Sequence, residues 1–247
     1  MSPGFIRLLA EAWSRFRSAA DLVLAIAGAL LFLPALAVQL LCDPLPSLPT
    51  TGNDEAAARA WIDALGTWAQ ANGLWYVLAD LIGMVGLAAI ALLLLDPARP
   101  SVGEALAAAG RRAGRFILAS VLVALPVGAG LWLFVLPGLY LQARLVMTVP
   151  ILAADSQQGA ARALAASWAG TRPLAWGLFG AVTMLFLVQW LAVSPLLSAD
   201  DWLRAPAHHN PFVIALVAVL LAAITSAHKI ALLLLGMVAY RRASKGM

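Results

Sequence analysis

Five apolar runs dominate the chain, at residues 22–41, 74–95, 116–154, 174–197 and 212–240. A helix needs about 20 mostly apolar residues to cross the hydrocarbon core of a bilayer. Within that core every backbone N–H and C=O must be satisfied inside the protein, so only helices or a closed barrel can cross. Apolar runs of this length predict helices. Hydrophobic residues make up 63% of the chain and charged residues 11%, with a mean hydropathy of +0.90. A soluble domain has about 45–50% and 25%, so an ordinary soluble enzyme, a collagen-like chain and a disordered chain are excluded. The expected fold class is all-α, a polytopic membrane bundle forming one integral membrane domain over residues 1–247.

The third run is 39 residues long, enough for two crossings. A break at Pro126 would leave only ten residues before it. Pro137-Gly138 leaves 21 before and 16 after, and these two residues suit a tight turn. The expected spans are 22–41, 74–95, 116–136, 139–154, 174–197 and 212–239, with an outer turn at Pro137 and Gly138.

Lys and Arg set the orientation. With the N-terminus inside, 12 of the 16 basic residues fall on inner segments, among them Arg99. Arg59 and Arg204 fall on outer loops, and Arg144 and Lys229 within spans. Both termini are therefore expected in the cytoplasm. The net charge of +4 serves as this topology signal, and no aromatic-studded basic surface suggests nucleic acid. Cys42, the one cysteine, excludes an internal disulfide. The residues before it do not suit a lipoprotein signal, and the first run is not followed by a small-x-small cleavage site, so neither a lipid anchor nor a cleavable signal is expected.

Shorter amphipathic pieces lie between the runs. Residues 5–17 align Phe5, Leu9, Trp13 and Phe16, a helix lying on the inner leaflet or packed on the bundle. Residues 54–71, after an Asn53-Asp54-Glu55 cap signal, align Trp61, Leu65 and Trp68 and predict a second surface helix outside. Ser101-Val-Gly-Glu104 is a capping box opening a short inner helix through Arg115. A second inner helix is expected over 159–170. The two share Glu104-Ala-Leu-Ala-Ala and Arg162-Ala-Leu-Ala-Ala at an offset of 58, each between an Asp (Asp96, Asp155) and an Arg. A duplicated helix pair explains this, and so does chance in an Ala- and Leu-rich chain.

Several of these motifs carry a family likeness. Pro100-Ser-Val-Gly-Glu-Ala-Leu106, Leu136-Pro-Gly-Leu-Tyr140, Arg144, Pro150, Ala163-Leu164 and Ser167-Trp168 resemble the membrane-domain family associated with glycerophosphoryl diester phosphodiesterases. YciC-type bacterial inner-membrane proteins look similar. The likeness covers roughly residues 75–180. Asp155-Ser-Gln-Gln-Gly159 departs from it where an acidic residue closely followed by glycine would be expected. The resemblance implies a multi-pass bacterial inner-membrane protein near lipid metabolism or envelope maintenance. It implies no activity, since the catalytic barrel of that family needs about 250 residues of its own.

Ionisable groups inside a membrane are expensive and mark candidate sites. Asp80 lies about 10 Å into its span and Arg144 about 9 Å past the Pro-Gly turn. Both are counted from the outer face, so the two are expected to pair. Lys229, about 25 Å into the last span, is expected to snorkel to the inner surface. The outer segment with Asp200, Asp201, His208 and His209 has zinc-ligand residue types without a known spacing and reads as a solvated loop. No phosphate loop, nucleophile elbow or His-Glu-x-x-His motif is present. The expected function is non-catalytic, a lipid- or envelope-associated binding or scaffold protein without cofactor. Its partners would be membrane lipids and a membrane protein or a second copy of the chain. The alternatives are a small transporter using Asp80, Arg144 and Lys229, and a lipid-headgroup enzyme.

Overall fold

A computed structural model describes residues 4–46, 55–96, 100–205 and 209–245. Among the described residues the regular structure is helical and contains no strand. The chain order is α1 (Phe5–Ser18), α2 (Ala20–Ala27), a π-helical turn (Gly28–Phe32), α3 (Leu33–Leu41), α4 (Glu55–Leu95), α5 (Val102–Arg111) and α6 (Ala113–Leu133). Then come α7 (Val135–Leu145), α8 (Thr148–Ala154), α9 (Ala160–Gly170), a 3₁₀ turn (Arg172–Leu174), α10 (Ala175–Arg204) and α11 (Pro211–Lys245). Six segments are long and apolar enough to cross a membrane: Ala20–Leu41, Glu55–Leu95, Ala113–Leu133, Val135–Ala154, Arg172–Arg204 and Pro211–Ser244. One apolar core joins them, with Phe116, Leu139, Leu178 and Leu235 fully buried in it.

The break in the 39-residue run falls at Phe134, three residues before the expected Pro-Gly turn. Phe134 is extended (φ −154°, ψ 130°) and separates α6 from α7. Pro137 lies inside the first turn of α7, where the backbone N–H groups have no intrahelical acceptor and proline costs nothing. Gly138 serves packing instead of turning. A Cβ there would strike the Leu131 backbone, and one on Gly130 would stand 2.8 Å from the Gly138 Cα. Small residues let membrane helices approach backbone to backbone, and here they close the α6–α7 corner.

A second corner separates α7 from α8 at Val146-Met147. Pro150 cannot donate to the carbonyl four residues back, which belongs to Val146. That carbonyl lies against Gly236 of α11, the only residue type whose backbone can approach it so closely.

Residues 55–73 do not form a separate surface helix. They continue into the span as one 41-residue helix, α4. No proline interrupts them, and Ala, Leu and Gln favour continuation. At about 60 Å, α4 is twice the thickness of a hydrocarbon core. Its N-terminal half is strapped by the stretch after α3. The Trp68 indole N–H donates to the Asp43 carbonyl (2.9 Å), Trp61 to that of Pro46 (3.1 Å), and the Asp43 N–H to Asn72 Oδ1 (3.1 Å). The Asn53-Asp54 cap lies outside the described residues.

α1 packs across α10 and α11, burying Leu8 and Ala12, with Phe5 against Gly180. Trp13 stacks on Phe16 (5.3 Å) but remains exposed. Arg242 clamps α1 to α11 by donating Nε to Glu11 Oε2 (3.0 Å) and Nη2 to Oε1.

The expected capping box forms: the Glu104 N–H donates to Ser101 Oγ (3.3 Å) and the Ser101 N–H to Glu104 Oε2 (2.7 Å). α9 also stands where expected. Positions 58 apart match in role. Ser101 and Gly159 are both N-caps, and Ala105 with Ala163, and Ala109 with Ser167, are buried pairs. The surroundings differ, since α5 docks on α4 whereas α9 sits among α6, α7 and α8. The Asp155 loop closes by an Asx turn, the Gln157 N–H donating to Asp155 Oδ1 (2.8 Å). Arg115 holds it through the Ser156 and Gln158 carbonyls.

Candidate intramembrane polar site

Asp80 and Arg144 do not pair. Asp80 of α4 meets Lys229 of α11, with Nζ 2.6 Å from Oδ1. Asp80 stands about 22 Å from Leu95 along α4, and Lys229 about 18 Å from Arg241 along α11. The Lys229 ammonium is thus held by a carboxylate of the neighbouring helix.

The pair borders a cleft of about 270 Å³ between α3, α4 and α11. Gln39, Tyr76, Thr225 and Ser226 add polar groups to an otherwise apolar lining. The Asp80 side chain is 75% exposed and that of Lys229 38%, so the ion pair is accessible from the cleft. Gly83 and Gly86 bring α4 close to Leu30 and Leu31 of the π-helical turn. Such turns widen a helix by one residue and recur at functional sites. Lys229 also borders a second cleft of about 360 Å³, with Ser120, Gln142 and Thr148 on its wall.

Arg144 is buried at the end of α7 and satisfied by α9. Its Nε donates to Thr171 Oγ1 (3.0 Å), Nη1 to the Tyr140 hydroxyl (3.1 Å) and Nη2 to the Trp168 carbonyl. The guanidinium carbon lies 4.2 Å from the centre of the Trp168 ring, a cation–π contact. The Arg144 carbonyl in turn accepts from Ser167 Oγ (2.9 Å). No carboxylate pairs with Arg144 among the described residues. Carbonyl, hydroxyl and ring faces hold the charge, and Arg144 docks α9 onto α7. Its guanidinium is not free for a headgroup phosphate. A lysine lacks the planar fork that reaches three acceptors. Arg144→Lys is expected to cost about 2 kcal/mol or more, read as a lower melting temperature together with faster hydrogen exchange over 160–171. Unchanged exchange there would contradict the docking role.

The acidic segment at Asp200 and Asp201 is the last turn of α10 and not a loop. Asp200 Oδ2 accepts from Arg204 Nε at 2.8 Å, and Asp201 is exposed beside it. His209 is exposed, and His208 lies outside the described residues. No cluster of three metal-ligating side chains occurs among the described residues. Asn210 caps α11 by accepting from the Phe212 and Val213 N–H groups.

Helix count and ionisable residues were legible in the sequence; the partner of each charge was not. No family model, no curated protein and no solved structure matches this chain.

Proposed function

We propose that this chain is a non-catalytic, multi-pass protein of the bacterial inner membrane that binds phospholipid headgroups at the Asp80–Lys229 cleft. The observation that carries this reading is an accessible ion pair between two membrane-spanning helices, flanked by hydroxyl and amide groups. A zwitterionic headgroup offers a phosphate to Lys229 and an ammonium to Asp80. It can replace the internal pair charge for charge, so no lone charge remains in apolar surroundings. The motif resemblance over residues 75–180 to a lipid-linked membrane-domain family supports the same reading.

Native mass spectrometry of detergent-purified protein tests it. Wild type is expected to retain a phospholipid carrying a primary ammonium, and the Asp80→Asn/Lys229→Gln variant to lose it. Equal retention by both sinks the proposal.

Orientation follows the 12-to-2 distribution of basic residues, with both termini cytoplasmic. A cysteine at Ala108 in α5 is expected to resist impermeant thiol reagents added to intact cells. Labelling from outside would invert the assignment.

One observation favours a second reading, a small transporter. Lys229 borders clefts on two sides of α11, so exchange of its partner would connect them. Solute flux or lipid scrambling in liposomes, lost in the Lys229→Gln variant, would select that reading.

A further inference from the structure

α1 lies across α10 and α11 with a cavity on either flank. One flank is apolar: Leu9, Trp13 and Phe16 face Met184, Val188 and Leu234 around a groove of about 400 Å³. The other flank is charged: Glu11 and Arg15 of α1 face Arg241 and Arg242 of α11 over Pro173 and Leu174, around a space of about 750 Å³. A helix with hydrocarbon-compatible residues on one flank and arginines on the other marks a boundary between membrane and water.

The charges on that flank do not balance. Three guanidiniums face a single carboxylate, and Arg242 occupies both oxygens of Glu11. That contact holds the Glu11 carboxyl below its ordinary range, with Arg15 and Arg7 adding to the effect. Arg241 spends one donor on the Leu94 carbonyl (2.8 Å). The Arg15 guanidinium makes no hydrogen bond to any described residue. Partial burial, and then repulsion from Arg241, press against its charge. Two positive groups therefore converge on one cavity with donors to spare. The first turn of α10 begins at its floor, after Leu174, which supplies no side-chain cap. The positive end of that helix dipole adds to the field.

We propose that the cavity between Arg15, Arg241 and Arg242 binds a phosphate-bearing anion at the end of the bundle where α1 crosses α11. Phosphate oxygens match the fork geometry of guanidinium groups. An anionic lipid headgroup and a soluble phosphate share this chemistry. This site is separate from the Asp80–Lys229 cleft, and either can fail without the other.

Arg15→Gln is the discriminating variant, because Arg15 makes no hydrogen bond to a described residue that its loss would break. The full chain is reconstituted in phosphatidylcholine nanodiscs, with or without phosphatidylglycerol, and separately titrated with inorganic phosphate. The readouts are the melting temperature and the number of phosphatidylglycerol molecules retained. Wild type is expected to be stabilised by phosphatidylglycerol, by inorganic phosphate or by both. A response to phosphatidylglycerol alone identifies a lipid headgroup as the source, and a response to inorganic phosphate identifies a site that accepts the free ion. Arg15→Gln is expected to bind about tenfold more weakly or worse, while its own melting temperature without anion does not fall, since a like-charge repulsion has been removed. No response to either anion overturns the proposal, and so does a response that Arg15→Gln leaves unchanged.

Discussion

Asp80→Ala or Lys229→Ala, each alone, is expected to destabilise the protein in a bilayer by up to about 2.5–3.5 kcal/mol, the cost of one uncompensated charge within a membrane-spanning helix. The two groups are linked by a 2.6 Å contact between α4 and α11 and have no other charged partner among the described residues. Removing one leaves the other without a counter-charge, beside only the hydroxyl and amide groups of the cleft. Removing both leaves no stranded charge, so the double variant is expected to lose much less than the sum of the single losses. Reversing the pair, with Asp80→Lys and Lys229→Asp together, is expected to recover part of the stability that either reversal alone forfeits. Chemical unfolding in bicelles gives the four corners of the cycle. Simple additivity would mean that each side chain reaches water independently. The exposure of Asp80 sets the size of the effect: in detergent, where water and headgroups approach more freely, the same cycle should yield a smaller coupling.

The second large effect is expected at two glycines. A methyl group on Gly138 would meet the Leu131 backbone, and one on Gly236 would meet the Val146 carbonyl. Backbone cannot rotate aside as a side chain can. Gly138→Ala and Gly236→Ala are therefore each expected to cost about 3 kcal/mol, the upper end of overpacking penalties, or to prevent folding. Gly128, in α6, has nothing within 4 Å of such a methyl. Gly128→Ala is accordingly expected to be neutral or stabilising, by up to about 1 kcal/mol from reduced chain entropy. If all three alanine variants melt alike, close helix approach does not hold these corners together.

Much of the architecture lay in the sequence by itself. Apolar runs of bilayer length determined six crossing segments, because an uninterrupted apolar stretch has no other way to satisfy its backbone. The capping box at Ser101 and Glu104 determined where α5 begins, because both of its hydrogen bonds are local. What depended on distant contacts was not legible. The chain turns at Phe134 and not at Pro137-Gly138, because the first turn of a helix tolerates proline and because Gly138 is needed against Gly130. α4 runs without a break from Glu55 because the 42–46 stretch supports its N-terminal half.

The polar site shows the division most clearly. Residue type marked Asp80, Arg144 and Lys229, but pairing required depth, and depth was counted from outer ends that the sequence does not define. α4 begins far outside its apolar run, and α11 is longer than a bilayer is thick. Counted back from Leu95 and from Arg241, Asp80 and Lys229 stand 15 and 12 residues away and are nearly level. That signal was present in the sequence. That α4 and α11 are neighbours, and that Arg144 finds its acceptors on α9, was decided by the tertiary structure alone, because helices in a bilayer choose partners by surface fit and not by order along the chain.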